Sequence, residues 1–550
     1  MKHYALQVTT LSPVHVATGE AMQPGDYLVH DERLYEFGRW GLSRALTAHQ
    51  RKELLQLLDS ESVDLPLQVQ RFLARESGSL CAAAERMRPL LPGIAAYCQG
   101  RLGQQMQART GHRPATINQL ELMRQIGAEF SQPYIPGSTL KGSIRGALLG
   151  FINKQQSPSE NLSSHFDPKH LKSEREEQRI LNYQGIDDDP FRFLLVGDAV
   201  KTRDKVVELD YWLVNRLRLA PKAGKEQNTN LQFAPVECIA PLQTAALSLE
   251  LRLKPEPLPG CIKNPALKTM LTDFPTLAKS VNQITLSEFL NELNWLEQNN
   301  IATEYAYAPQ HSWVKAMRTL LQDENIQQQL IKGEAMLLRV GKYGGAISKT
   351  VRGWRHIKRM AGKGEKPTYH PDVMTKCLAL PKEKAFNQGL PFGWVLLQET
   401  PSQSLQELLA PLCQSQEQQR RQQIENWLQS RSVWLEQRQV EEAAHQAKEQ
   451  AKAAEAEEQK RKAELKASLS PAGQKMIELE DGLAEAKRFG IKDPTGSLRH
   501  LLNQCVALVA TEGSDAEKAD MKTLFTEIIN YWGVDRKKNA KLKELWGKLA

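Results

Sequence analysis

Between Ser404 and Lys466 the chain carries no glycine and a single proline, Pro411, amid dense Ala, Glu, Gln, Lys and Arg. Residues of that kind are strong helix formers, so the segment predicts one long helix, a linker over 401–468. Past Val440 its apolar residues are too sparse for a coiled-coil seam, and the expectation there is a solvated rod. Ser470 and Pro471 form a cap and first-turn pair that opens a small helical bundle over 469–550. Met476, Leu479 and Leu483, then Leu498, Leu502 and Cys505, then Leu524, Ile528 and Trp532 recur at helical spacing, and Ser514 with Glu517 has the spacing of a capping box.

Before Pro401 the pattern is different. YALQVTTLSPVHV alternates as a strand up to a turn at Ser12 and Pro13, and DYLVHDERLYEF holds two short strands around a turn. From about 42 to 126 the composition turns helical, which predicts an insertion between strands. FRFLLVGDAV, LVNRLRLA, FAPVECIA and ALSLELRLK return to strand, a second helical block runs from Leu286 to Leu330, and MLLRVG and GWVLLQET are the last strand signals. Strands before and after helices in one region indicate an α+β fold, not a doubly wound one.

Nothing in the bulk composition of these 550 residues departs from a water-soluble chain, with 41% apolar residues and no run of eighteen, and MKHYALQVTT lacks a signal-peptide core. The expectation is a cytoplasmic protein that does not use a membrane. Seven scattered cysteines without a CxxC pair indicate neither a disulfide framework nor a zinc knuckle. From Lys332 to Lys366 ten Lys or Arg stand against two Glu, a local excess of +8 that equals the net charge of the whole chain, +8. So concentrated a basic segment points to a polyanion-binding surface.

Two glycine-rich loops carry that chemistry. In PYIPGSTLKGSIRGALLG, Gly137 and Gly142 give backbone access, Ser138 and Thr139 hydroxyls, and Lys141 and Arg145 charge, all at a helix start that favours an anion. Lys141 follows Gly137 too closely for a Walker loop, which excludes nucleotide hydrolysis of that type. Taken alone the stretch reads equally as a turn whose Ser138 or Thr139 caps a helix. In LLRVGKYGGAISKT the logic repeats, with Gly341, Gly344 and Gly345 beside Arg339, Lys342, Ser348, Lys349 and, just beyond, Arg352. Tyr343 and Trp354 are stacking candidates; core packing is the preferred reading of Trp354 and an equal one for Tyr343. His165 and His170 with Asp167 lack a third predicted ligand, and a loop is the better reading than a metal site. No GxSxG elbow, HExxH pair or dinucleotide fingerprint occurs, and no cofactor is expected.

LSPVHVATGE, PYIPGSTLKGSIRGAL, DPFRFLLVGDA and LLRVGKYGGAISKT occur in this order. Together they resemble the CRISPR-associated RAMP superfamily, and within it they look most like the fifth subunit of the Csm (type III-A) effector complex. The resemblance covers roughly the first 400 residues. It implies two ferredoxin-like (RRM-like) units with helical insertions, over 1–235 and 236–400. It also implies a capping subunit that grips the guide RNA (crRNA) near its 3′ end through contacts that fix position without reading sequence. The implied partners are crRNA and target RNA, a neighbouring RAMP backbone subunit, the small helical subunit and host maturation nucleases. In such a fold His15 would lie near the same groove, as a phosphate or ribose contact or as a structural histidine.

Binding, not catalysis, is the favoured expectation. The alternatives are a RAMP ribonuclease using His15 with Lys141, a target-cutting carboxylate at Asp26, for which a structural role is preferred, or a Cmr-type or other type III RAMP subunit. The segment 401–550 departs from the family pattern and reads as a docking arm.

Overall fold

The runs AMLLR and WVLLQ are apolar at nearly every position, the signature of strands buried on both faces. In the computed structural model, which describes residues 2–38, 41–60, 65–102, 120–128, 132–156, 173–219, 235–254, 262–351, 357–359, 368–370, 373 and 375–549, these strands, Ala335–Arg339 and Trp394–Gln398, lie between two cores. Side chains alternate along a strand. Met336, Leu338, Val395 and Leu397 therefore enter one core, while Ala335, Leu337, Trp394 and Leu396 enter the other.

The first core belongs to a six-stranded antiparallel sheet in the order Ala335–Arg339, Trp394–Gln398, Lys2–Thr10, Leu247–Leu253 and Leu194–Val196, with Val200–Lys201 also paired to Leu247–Leu253. Leu6 faces Leu249 and Val8 faces Leu247, and both pairs are buried. The helices Gly137–Gln156 and Phe274–Gln298 cover this face with Ile144, Leu148, Leu277 and Val281. The second sheet runs Leu390–Pro391, Thr375–Leu380, Leu209–Arg218, Pro235–Ile239, Leu122–Gln125 and Ala17–Met22, with one parallel pairing, between Pro235–Ile239 and Leu122–Gln125. Its core gathers the fully buried Trp212, Trp313 and Trp394. Helix Phe274–Gln298 serves both cores, since its later turns bring Phe289, Leu293 and Leu296 to the second. Each sheet takes strands from both sides of residue 235.

The hairpin Tyr27–His30/Arg33–Glu36 turns through Asp31 and Glu32, both at positive φ as a two-residue hairpin loop requires. Arg86–Pro89 adds a third strand. The expected all-helical insertion is thus corrected at two places, Arg86–Pro89 and Leu122–Gln125, whose sequences RMRP and LMRQ offer no alternation of β-branched residues. The second helical block begins at Phe274, not Leu286: the Asp273 carboxylate accepts from the Thr276 N–H at 2.8 Å, and Pro275 sits in the first turn. The strands Thr375–Leu380 and Leu390–Pro391 were without a signal clear enough to predict.

The chain divides into two compact units, Met1–Leu435 and Glu436–Ala550, and the division falls inside the helix Gln403–Ser468. In the first unit this helix packs Ile424, Trp427 and Trp434 against the hairpin's core, and the Trp427 indole N–H donates to the Cys81 carbonyl at 3.0 Å. One turn and more earlier, Arg420 is buried. Its guanidinium donates to Glu208 at 2.8 Å, to the Tyr307 hydroxyl at 2.9 Å and to the Asp210 carboxylate. In the second unit the helices Pro471–Arg488, Ser497–Glu512, Asp515–Trp532 and Ala540–Gly547 share a core around Leu479, Leu502, Cys505 and Phe525. Ser470 and Ser514 accept from the Gly473 and Glu517 N–H groups, as their capping patterns require.

Removing one member of a buried ion cluster leaves the others uncompensated. Arg420→Met is expected to lower the stability of the first unit by about 3–5 kcal/mol in chemical denaturation. Adding Asp210→Asn to it should recover part of that loss.

Candidate nucleic-acid interface

The four sequence motifs meet around the start of helix Gly137–Gln156. Ile135 bridges to Ala199 through paired backbone bonds of 3.0 and 2.8 Å, and the Gly137 N–H donates to the Asp198 carboxylate at 2.7 Å. A Cβ on Gly137 would lie 2.1 Å from the Val196 carbonyl oxygen, so only glycine allows this crossing of PYIPGST over LLVGDA. Ser138 remains exposed one residue into the helix.

Arg145 is not an open cation. Its guanidinium pairs with the Asp189 carboxylate at 2.7 Å and with Glu177, takes the Tyr183 hydroxyl as acceptor at 3.0 Å, and lies 4.7 Å over the Phe191 ring. The DPFRF motif thereby neutralises and covers it. Lys141, half-buried one turn earlier, has its ammonium pKa lowered by burial, against the pull of Asp189 and with a further push from Arg145.

The second glycine loop begins at the end of strand Ala335–Arg339. Gly341 holds φ +81°, and its absent Cβ would stand 2.5 Å from the His15 carbonyl oxygen, which accepts from the Lys342 N–H at 2.8 Å. Tyr343, also at positive φ, stacks on the His15 ring at 5.5 Å and packs against Phe392 at 5.1 Å. Arg339 is buried, ion-paired to Glu292 at 3.0 Å, and donates to the Phe392 carbonyl. Gly344 is buried against Ser348 and Arg339, and the Ser348 hydroxyl donates to the Gly345 carbonyl at 3.2 Å. The two loops are joined by Ser143, whose hydroxyl donates to the Arg339 carbonyl at 2.8 Å. Lys342 and Lys349 are exposed.

His15 is fully buried. Burial chiefly, opposed by the bond to the Glu237 carbonyl at 2.6 Å and aided by Lys342, lowers its pKa to about 4. The ring is neutral at pH 7, with Nδ1–H as the donor that the carbonyl requires. Asp26 is exposed, and its carboxylate accepts from the Gln23 N–H at 2.8 Å, holding the turn before Tyr27. Arg352, Trp354, His165, Asp167 and His170 lie outside the described residues. Among the described residues no group of three His, Cys, Asp or Glu is placed to hold a metal.

Beside the loops, helix Gly137–Gln156, helix Phe274–Gln298 and residues 347–351 enclose a cavity of about 700 Å³. Sequence reasoning missed Gly146, Gly150, Gln283, Ile284 and Ser287 of its lining. The recurrence of glycine at 142, 146 and 150 was the visible signal for part of it.

Because the His15 pKa is depressed in the folded state, the unfolded chain binds more protons between pH 6.5 and 4, and stability is lost as the pH falls through that window. From pH 7 to pH 5 the histidine's share of this loss should be about 2 kcal/mol. Denaturation curves of His15→Gln should show a correspondingly flatter pH dependence.

A sequence model described as the RAMP superfamily matches residues 7–308. Two curated relatives, each named CRISPR system Cms protein Csm5, come from Mycobacterium tuberculosis strains CDC 1551 / Oshkosh and ATCC 25618 / H37Rv. Both are 23% identical over 220 residues, a match that takes in 38% of this chain and spans 58% of the relatives' length. Among solved structures, a chain of a cryo-EM Csm-crRNA-target RNA ternary complex of a type III-A CRISPR-Cas system aligns with a TM-score of 0.40 and 16% identity, covering 72% of this chain and 100% of that one. The crystal structure of T. onnurineus Csm5 aligns with a TM-score of 0.40 and 16% identity, covering 71% and 99%.

Proposed function

The chain belongs to the RAMP superfamily, and from that premise we propose that it is a guide-RNA-binding subunit of a type III, Csm-type CRISPR effector complex. It caps that assembly, holds the 3′ part of the crRNA and supports guide maturation in the cytoplasm. Its partners are crRNA and target RNA, a backbone RAMP subunit, the small helical subunit and the nucleases that trim the guide. The segments 401–468 and 469–550 form the docking arm.

The observation that carries this reading is the junction of the helix start at Gly137 with the second glycine loop, tied by the Ser143 hydroxyl to the Arg339 carbonyl; along these two stretches Ser138, Lys342 and Lys349 are exposed and Lys141 is half-buried. Hydroxyls and ammonium groups of this kind hold a ribose-phosphate strand by charge and position, without selecting bases. That suits a subunit that must accept any spacer. Of the two ferredoxin-like units in this reading, one agrees with the strand order of the first sheet, in which Trp394–Gln398, Lys2–Thr10, Leu247–Leu253 and Leu194–Val196 take the places of a βαββαβ sheet. Arg145 and Arg339 serve the interface by anchoring its two loops through their carboxylate partners. A binding role, not a cutting one, fits a His15 that is buried and neutral and an Asp26 engaged in a turn.

The test is the salt dependence of crRNA binding by the purified chain. Affinity should fall as salt rises, and Lys342→Ala and Lys349→Ala should each make the slope shallower by about one counterion. A chain that ignores guide transcripts at low salt, or variants with unchanged slopes, would contradict the assignment.

A further inference from the structure

A cavity of about 700 Å³ beside the two loops has the size of a small-ligand pocket. Three of its lining residues are glycines of one helix, at 142, 146 and 150. Glycine inside a helix is less stable than alanine, so packing ordinarily has to demand it. Packing demands Gly137, as shown above, but a Cβ on Gly142 or Gly146 would meet nothing within 4 Å, and one on Gly150 would make ordinary contact with Ile284 at 3.6 Å. The space over these glycines stays open although the protein's own packing does not need it.

We propose that this cavity receives one unstacked nucleobase of the bound RNA strand, an inference that rests on the RNA-binding reading above. Its walls include Ile284 and Ile347, both half-buried, apolar surfaces against which a flat ring can lie. Gln283 and Ser287 add an amide and a hydroxyl, neutral groups that pair with base edges. Glu177 at one end is already matched by Arg145. Glu288 is a further carboxylate of the lining and disfavours a phosphate inside, whereas Lys154 and Lys349, lining residues that are exposed, suit the flanking phosphates. Its lining draws on the same segments as the proposed interface, since Gly142 and Ser143 lie in the second turn of the helix that starts at Gly137 and Ser348 to Thr350 end the second glycine loop. A strand laid across both loops passes it.

Fluorescence anisotropy titrations with a single-stranded RNA, and with the same RNA carrying one abasic residue at each position in turn, provide the test. Wild-type protein should lose roughly tenfold in affinity at one abasic position, the scale of a single base–protein stacking contact. Gly146→Leu fills the cavity from a site with room for a side chain. It should unfold at or above the wild-type temperature, bind intact RNA roughly tenfold more weakly, and be indifferent to the abasic position. Uniform affinity of the wild type across all abasic positions, or unchanged binding by a folded Gly146→Leu, overturns the pocket and leaves RNA binding standing. Should Gly146→Leu fail to fold, the wild-type scan decides alone. Absence of any RNA binding by the wild type overturns the functional reading and the pocket with it.

Discussion

Two backbone crossings that exclude every side chain larger than hydrogen set the geometry on which the proposed interface depends. At Gly137 the helix start lies against the Val196 carbonyl, and at Gly341 the second loop lies against the His15 carbonyl. A methyl group at either place would overlap a main-chain oxygen, which cannot swing aside as a side chain can. The positions of Ser138 and Lys141 follow from the first crossing and those of Lys342 and Lys349 from the second. Ser143 then fixes the two loops to one another through the Arg339 carbonyl.

Charge is sorted by depth around these crossings. Two of the cations expected to contact RNA are turned inward, Arg145 onto Asp189 and Glu177 and Arg339 onto Glu292. A planar guanidinium suits that task because it can satisfy several acceptors at once in a confined space. Lys342 and Lys349 remain at the surface, where a flexible ammonium keeps its hydration. The fold thus uses arginine to position the loops and lysine to face solvent. A similar arrangement binds the long helix, where Arg420 joins Glu208, Asp210 and Tyr307 beneath it.

Local signals served well wherever a short stretch carries its own reason. The Asp31–Glu32 turn, the apolar strands AMLLR and WVLLQ, and the Ser470 and Ser514 caps were each readable from a handful of neighbours. Where the reason lies elsewhere in the chain, reading failed. RMRP becomes a strand because Arg33–Glu36 offers it an edge, with Arg88 and Arg86 closing on the buried Glu36 at 2.9 and 3.3 Å. LMRQ becomes one because Ala17–Met22 and Pro235–Ile239 flank it.

The same division applies to the interface. Glycine, hydroxyl and lysine content, the basic excess from Lys332 to Lys366 and the sharp change at Pro401 are properties of consecutive residues, and the sequence alone determined them. Which cations face water, that His15 is stacked and neutral, and that helix Phe274–Gln298 closes a cavity over Gly142, Gly146 and Gly150 were decided by tertiary structure. The reason is that burial and pairing belong to groups brought together from far along the chain: Glu292 lies 47 residues from Arg339, and Asp189 lies 44 from Arg145. No local pattern records such a distance.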